Sequence, residues 1–285
     1  MSQDVSTPEA LKPLPRWILT QLSFLGLSDP PFSLSPDPRY FYLSSQHRTT
    51  LSKTTYVIDQ RQGLSVVFGD VGLGKTSVAR RLYQIHQDRE DCRVAYIPTP
   101  HYKSAFQFLR GICTEFGIET IGYGETASLS ALQKFLLEAL TQDRYVVLII
   151  DEAQLLVGPQ FELLRQLLNF ELADRKLLQI VLLGQNQLRN KLRLKRALES
   201  RLATRSTLDP LDFPDTRAMI EFRLLVAGRR QPLFTEDALR RIFAYSRGIP
   251  REVCRLGLNL LPAAIDAGVT TIDASLVNQV ADSLR

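Results

Sequence analysis

Apolar residues in this chain gather into short continuous runs, and between the runs they recur three and four positions apart. The runs 64–68, 93–97, 145–150 and 179–183 read as strands buried on both faces, because a sheet covered on each side loses the polar alternation of a half-exposed strand. Helical spacing predicts helices from His47 to Gln60, from about Lys75, within 103–116 and 128–142, and over 160–173. Strand and helix alternate, so the expected fold class is α/β, a parallel sheet covered by helices. After about Asp209 the strand signals stop. Helices are predicted near 213–227, 235–246 and 250–267, with a fourth opening at Asp273; Thr235 and Asp273 have the side chains of helix caps. The seven prolines of residues 1–38 leave room for at most one short helix, around Arg16 to Leu25. The expected organisation is an arm over 1–38, an α/β domain over 39–209 and a small all-helical domain over 210–285, with the boundary at Asp209 to Pro214.

Composition narrows the setting. With 285 residues, 45% hydrophobic and 23% charged, the chain is an ordinary globular one. Cys92, Cys113 and Cys254 include no C-x-x-C pair, which points away from a disulfide framework or a zinc site and towards a reducing compartment. The apolar runs fall well short of the roughly 18 residues needed to cross a bilayer. Acidic Asp4 and Glu9 precede any apolar stretch, unlike a secretory signal, so a cytoplasmic protein without a membrane segment is expected. A net charge of +5 and a pI near 9.2 permit a polyanionic partner without requiring one.

Chemistry enters at Gly69-Asp-Val-Gly-Leu-Gly-Lys75-Thr76, which fits G-x-x-x-x-G-K-[ST] between a predicted strand and a predicted helix. In a P-loop, backbone N–H groups along Gly69, Val71, Gly72, Leu73 and Gly74 and through Lys75, Thr76 and Ser77 cradle phosphates at a helix N-terminus. Lys75 is expected to reach the β- and γ-phosphates and Thr76 to ligate Mg²⁺. Strand 145–150 ends in Asp151-Glu152, which suits a second Mg²⁺ ligand followed by a residue that polarises the attacking water. A guanine-reading N-K-x-D motif fails at Asn190-Lys191-Leu192-Arg193, favouring ATP. If strand 179–183 neighbours the P-loop strand, Gln185, with Asn186 second, would sense the γ-phosphate; a polar loop residue is the plainer alternative.

The order of these motifs, with an arginine-rich stretch and Gly248-Ile-Pro-Arg251 after them, resembles an AAA+ ATPase. Residues 31–44, His47, the P-loop, Asp151-Glu-Ala-Gln154 and Leu183-Gly-Gln185 resemble the branch holding ExeA-type secretion ATPases and TnsC/TniB-type transposition regulators, over about residues 24 to 280. That resemblance implies a ring or helix of identical subunits with ATP between them and an arginine acting on the neighbour's nucleotide. Residues 185–205 hold seven basic residues against Glu199, among them Arg201, the first candidate for this finger, and Arg205, the second; a solvated basic helix is the alternative, on which the two would share a face. By the same resemblance Arg251 is a sensor acting within its own chain. Pro31-Phe32 and His47 would line the adenine, or else pack a core. Tyr102 and Lys103, and more weakly Lys134, would face a central pore and touch duplex DNA through its phosphates. Secretion members of the branch carry further modules for which this chain has no room, so the expected function is a transposition regulator that assembles on DNA and links a target selector to a transposase. The alternative is an ATPase of secretion or pilus assembly with a protein or cell-envelope partner.

Overall fold

The computed structural model describes residues 21–35, 37–119, 124–172 and 175–284. Residues 16–20 of the expected short helix lie outside these, as do Pro8, Pro13, Pro15 and Pro36 of the arm; residues 21–24 are helical. Five strands, β1 (Leu64–Gly69), β2 (Cys92–Ile97), β3 (Tyr145–Ile150), β4 (Gln179–Gly184) and β5 (Leu202–Leu208), form one sheet in the order β2-β3-β4-β1-β5. Every neighbouring pair is parallel. The α/β fold class is therefore as expected, with one more strand than the apolar runs disclose. β5 escapes them because it is half-covered: only Ser206 and Leu208 are buried, and Ala203, Arg205 and Thr207 are exposed. Its true signal is period two rather than a continuous apolar run.

Helices α1 (Ser45–Asp59), α2 (Lys75–Gln87), α3 (Ala105–Glu115), α4 (Glu125–Thr141), α5 (Gly158–Leu167), α6 (Asn186–Arg193) and α7 (Arg196–Glu199) connect the strands. Val66, Phe68, Leu148, Ile150, Ile180 and Leu182 share one core with Phe108, Leu109, Leu132, Leu164 and Leu188 of α3 to α6. Strand alternation turns Val67, Val147, Ile149 and Val181 to the opposite face, also fully buried, where α1 and α2 pack. Burial on both faces is what makes the runs of β1, β3 and β4 continuous in sequence.

Two compact units result. Leu43–Leu211 with Ile249–Arg251 form the sheet unit, and the described residues up to Tyr42, Asp212–Gly248 and the residues from Glu252 onward form a helical one. The latter is built on α8 (Phe213–Val226), α9 (Glu236–Ser246), α10 (Pro250–Asp266) and α11 (Ala274–Ser283), of which α10 starts within the sheet unit. Caps fix their starts: Asp212, Thr235 and Asp273 accept the backbone N–H of Asp215, Ala238 and Leu276. Over its described part the arm packs inside this helical unit. Leu22, Leu25 and Leu27 are buried, the Arg223 guanidinium donates to the Pro31 carbonyl at 2.8 Å, and the Phe32 ring meets Phe234 edge-on at 6.1 Å.

His86, at the end of α2, is fully buried, and both ring nitrogens lack a hydrogen-bond partner. Burial, aided by the Arg89 cation, lowers its pKa from 6.5 to about 4. Because the folded value lies below the unfolded one, the unfolded chain binds the extra proton between those pH values, and stability falls as pH drops through this window. The expected loss is about 3 kcal/mol, from 1.36 kcal/mol per pKa unit. Thermal melts from pH 7 to pH 4.5 should show this slope, flattened in His86→Phe; an equal slope in both proteins refutes the assignment.

Candidate nucleotide site at the carboxyl edge of the sheet

In a parallel sheet all strands end on one edge, and ligands bind in the crevice outside those ends. β1 runs out at Gly69 into the P-loop, and α2 starts at Lys75. Gly72 and Gly74 have φ of 85° and 92°, a left-handed setting that favours glycine. A Cβ at Gly72 would stand 2.8 Å from Cβ of Arg251, and one at Gly74 would stand 2.9 Å from Nε2 of His47. At these two positions the loop is bare backbone with no space for a side chain. Lys75 is buried and donates from Nζ to the Asp70 carbonyl at 2.9 Å. Its pKa is lowered by burial, against the pull of the Glu152, Asp151 and Asp70 carboxylates.

β3 lies two strands from β1 and leads directly into Asp151, which is 1% exposed. The Thr76 hydroxyl donates to Asp151 Oδ2 at 2.6 Å, and the Glu152 N–H donates to Oδ1 at 2.8 Å. Burial raises the Asp151 pKa, opposed by these two hydrogen bonds. A hydroxyl paired with a carboxylate beside a phosphate cradle is a hard-oxygen donor set of the kind Mg²⁺ takes. Backbone cradle, lysine, hydroxyl and carboxylate together fit a magnesium nucleotide.

β4 does neighbour β1, so Gln185 and Asn186 open α6 at the same edge. Asn186 Nδ2 donates to Asp70 Oδ1 at 2.7 Å, tying this end of β4 to the P-loop. His47 reaches the loop as well, with Nε2 3.1 Å from the Leu73 carbonyl and Nδ1 2.8 Å from the Ser44 hydroxyl. The Arg251 N–H donates to the Gly72 carbonyl at 3.3 Å, and its side chain is exposed. Phe32 belongs to the helical core, 1% exposed, so for this residue the packing alternative describes the structure.

The remaining expected residues lie elsewhere. Arg201 and Arg205 do not share a helix face, because α7 stops at Glu199 and the chain turns into β5. Arg205 pairs in register with Val66, and Arg201 immediately precedes Leu202, the partner of Leu64 at the start of β1, so neither adjoins the P-loop of its own chain. The Arg201 guanidinium donates to Asn169 Oδ1 at 2.6 Å and to the Ala197 carbonyl at 3.0 Å, and Arg205 pairs with Glu199 at 3.0 Å. The Tyr102 ring turns onto Phe108 at 5.3 Å, while its carbonyl accepts from Gln160. Lys103 is exposed, and Lys134 lies 3.7 Å from Glu138. Gln154, Lys191 and Asp70, none of which the sequence singled out for a role, stand within the site. Gln154 had a signal, its place two residues after Glu152.

Residues 58–192 match the family described as an AAA domain. Over 251 residues the chain is 39% identical to general secretion pathway protein A of Aeromonas hydrophila, a stretch covering 86% of this chain and 45% of that protein. The chain therefore spans less than half the length of this curated relative. Among solved structures it resembles Cdc6p of Pyrobaculum aerophilum (TM-score 0.67, 18% identity, 89% of this chain and 70% of that one). It resembles the ORC2 protein of Aeropyrum pernix in its ADPNP–ADP complexes (0.63, 16%, 88% and 71%) and the RuvB Holliday junction branch migration motor of Thermotoga maritima (0.53, 18%, 83% and 69%). At such identities these likenesses are of fold.

The secretion-pathway likeness overturns the expectation of a transposition regulator assembling on duplex DNA. Chain length does not separate the two branches, since the matched relative is itself more than twice as long as the aligned stretch. Within the basic segment, besides Arg201 and Arg205, Arg189 stacks 4.8 Å over Phe68 and bonds Thr207, and Lys191 caps two carbonyls, while Arg193, Lys195 and Arg196 are exposed. Tyr102, expected in a pore, is held by packing. Among the described residues no helix is long and apolar enough to cross a membrane. Residues 58–192 thus match an AAA domain, and the parallel sheet with its flanking helices has the fold of these solved structures.

Proposed function

We propose that this chain is an ATP-hydrolysing module of a secretion-pathway or pilus-assembly protein, working as an oligomer of identical copies on a protein or cell-envelope partner. The observation that carries the partner class is the 39% identity to general secretion pathway protein A. The Thr76–Asp151 pair beside Glu152 supports the chemistry. When bound, magnesium ATP supplies the phosphoryl group that passes to water and a metal charge that neutralises phosphate oxygens. Thr76 and Asp151 would hold the metal. The P-loop amides and Lys75 would bind and orient the phosphates, and Glu152 would orient the attacking water and accept its proton. Gln185, with Asn186, would report on the γ-phosphate from the end of β4, and Arg251 from the start of α10.

Assembly tests the reading. Electron microscopy and sedimentation with magnesium and a non-hydrolysable ATP analogue should show oligomers that form equally with and without duplex DNA. Oligomers that require DNA and dissolve steeply with added salt, as phosphate-bound ones do, would contradict it.

A further inference from the structure

Glu152 stands in a left-handed conformation with φ of 49°, costly for a residue with a Cβ and held only where the surroundings over-determine it. Its side chain meets Gln154, which lies on the 3-10 turn Ala153–Leu155 and is 5% exposed. The Gln185 N–H, at the end of β4, donates to Gln154 Oε1 at 3.0 Å. That backbone group can only donate, so it fixes which way the amide faces and leaves Nε2 to donate to the Glu152 carboxylate Oε2. Gly184 makes this approach possible, since a Cβ there would stand 2.9 Å from Gln154 Oε1. Lys191 secures the turn, its Nζ donating to the carbonyls of Gln154 at 2.5 Å and Leu156 at 3.0 Å. Of the common side chains this size, only glutamine offers an acceptor to Gln185 and a donor to Glu152 at once. Glutamate would keep the first bond and lose the second; leucine would lose both.

We propose that Gln154 is a positioning residue that aims the Glu152 carboxylate and ties it to the end of β4, with Lys191 bracing the turn. This rests on the reading above that Glu152 acts in hydrolysis. The link continues through Asn186 to Asp70 of the P-loop, so a displacement of the loop is passed to the carboxylate through side-chain bonds.

Gln154→Glu and Gln154→Leu test this in the whole chain, through ATP turnover at saturating and limiting ATP and through melting temperature. Both variants should keep KM for ATP near the parent value while kcat falls roughly tenfold to a hundredfold, the scale set by misplacing a reacting group by about an ångström. Gln154→Glu, being isosteric, decides the matter if Gln154→Leu folds poorly. A Gln154→Glu kcat equal to the parent's overturns the proposal, as does a loss that falls equally on KM and tracks the melting temperature. If Glu152→Gln is inactive while Gln154→Glu is fully active, only the positioning role fails. If Glu152→Gln turns over ATP like the parent, the reading of the site fails and this proposal with it.

Discussion

Glu152→Gln is expected to bind ATP and assemble as the parent chain does, yet to release phosphate about a hundredfold or more slowly, within the range of 10² to 10⁴ that a positioned base contributes. The substitution preserves size and removes only the ionised acceptor. Binding should survive because the cradle, Lys75 and the Thr76–Asp151 pair do not depend on the Glu152 side chain: Asp151 receives the Glu152 backbone N–H, which the variant keeps. Nucleotide titration and steady-state phosphate release on the same preparation separate the two effects. Undiminished turnover would remove Glu152 from the chemistry.

Arg201→Ala should lose still more, on the order of 10³-fold, if its guanidinium completes the site of a neighbouring copy. The register places Arg201 at the start of β5, far along the sheet from the P-loop of its own chain, so any contact with a γ-phosphate has to be made across a subunit boundary. Its hydrogen bonds go to neutral groups, Asn169 and a carbonyl, whereas Arg205 is paired with Glu199. Arg201 is therefore the arginine more easily turned to another anion. Mixing Arg201→Ala with Lys75→Ala subunits should recover part of the activity, because some interfaces then join an intact Lys75 to an intact Arg201. Mixtures that assemble and stay inactive at every ratio would place the finger elsewhere.

Much of the sheet was legible because β1, β3 and β4 are buried on both faces and so appear as unbroken apolar runs. The four helices of the second unit declared themselves through period-3.6 spacing, two of them also through caps at Thr235 and Asp273. β5 was hidden by its exposed Ala203, Arg205 and Thr207, and the i, i+4 spacing of Arg201 and Arg205 imitated a helix that ends before it. The P-loop and Asp151-Glu152 follow from a contiguous pattern. The orientation of Gln154 does not, since the group that fixes its amide is 31 residues away at Gln185, just past the end of β4. The packing of Phe32 against Phe234 is likewise a long-range contact that no local period announces. The partner class was misread because chain length was taken to exclude the further modules of secretion members, whereas the matched relative is itself more than twice as long as the aligned stretch.

Opposite the strand ends that carry the chemistry, the starts of the strands are fastened by a separate set of residues. Arg61 and Arg89 stand 4.5 Å and 4.9 Å over the Tyr145 ring, and Arg61 also pairs with Asp143 and Arg89 with Asp59 and Asp91. Gln179 ties Gly63 to the Lys176 carbonyl beside them. This cluster fastens the starts of the strands at the rim away from the P-loop. A designer seeking a hardier protein can rework the Arg61, Arg89 and Tyr145 cluster while leaving the P-loop, Asp151, Glu152 and Arg201 in place.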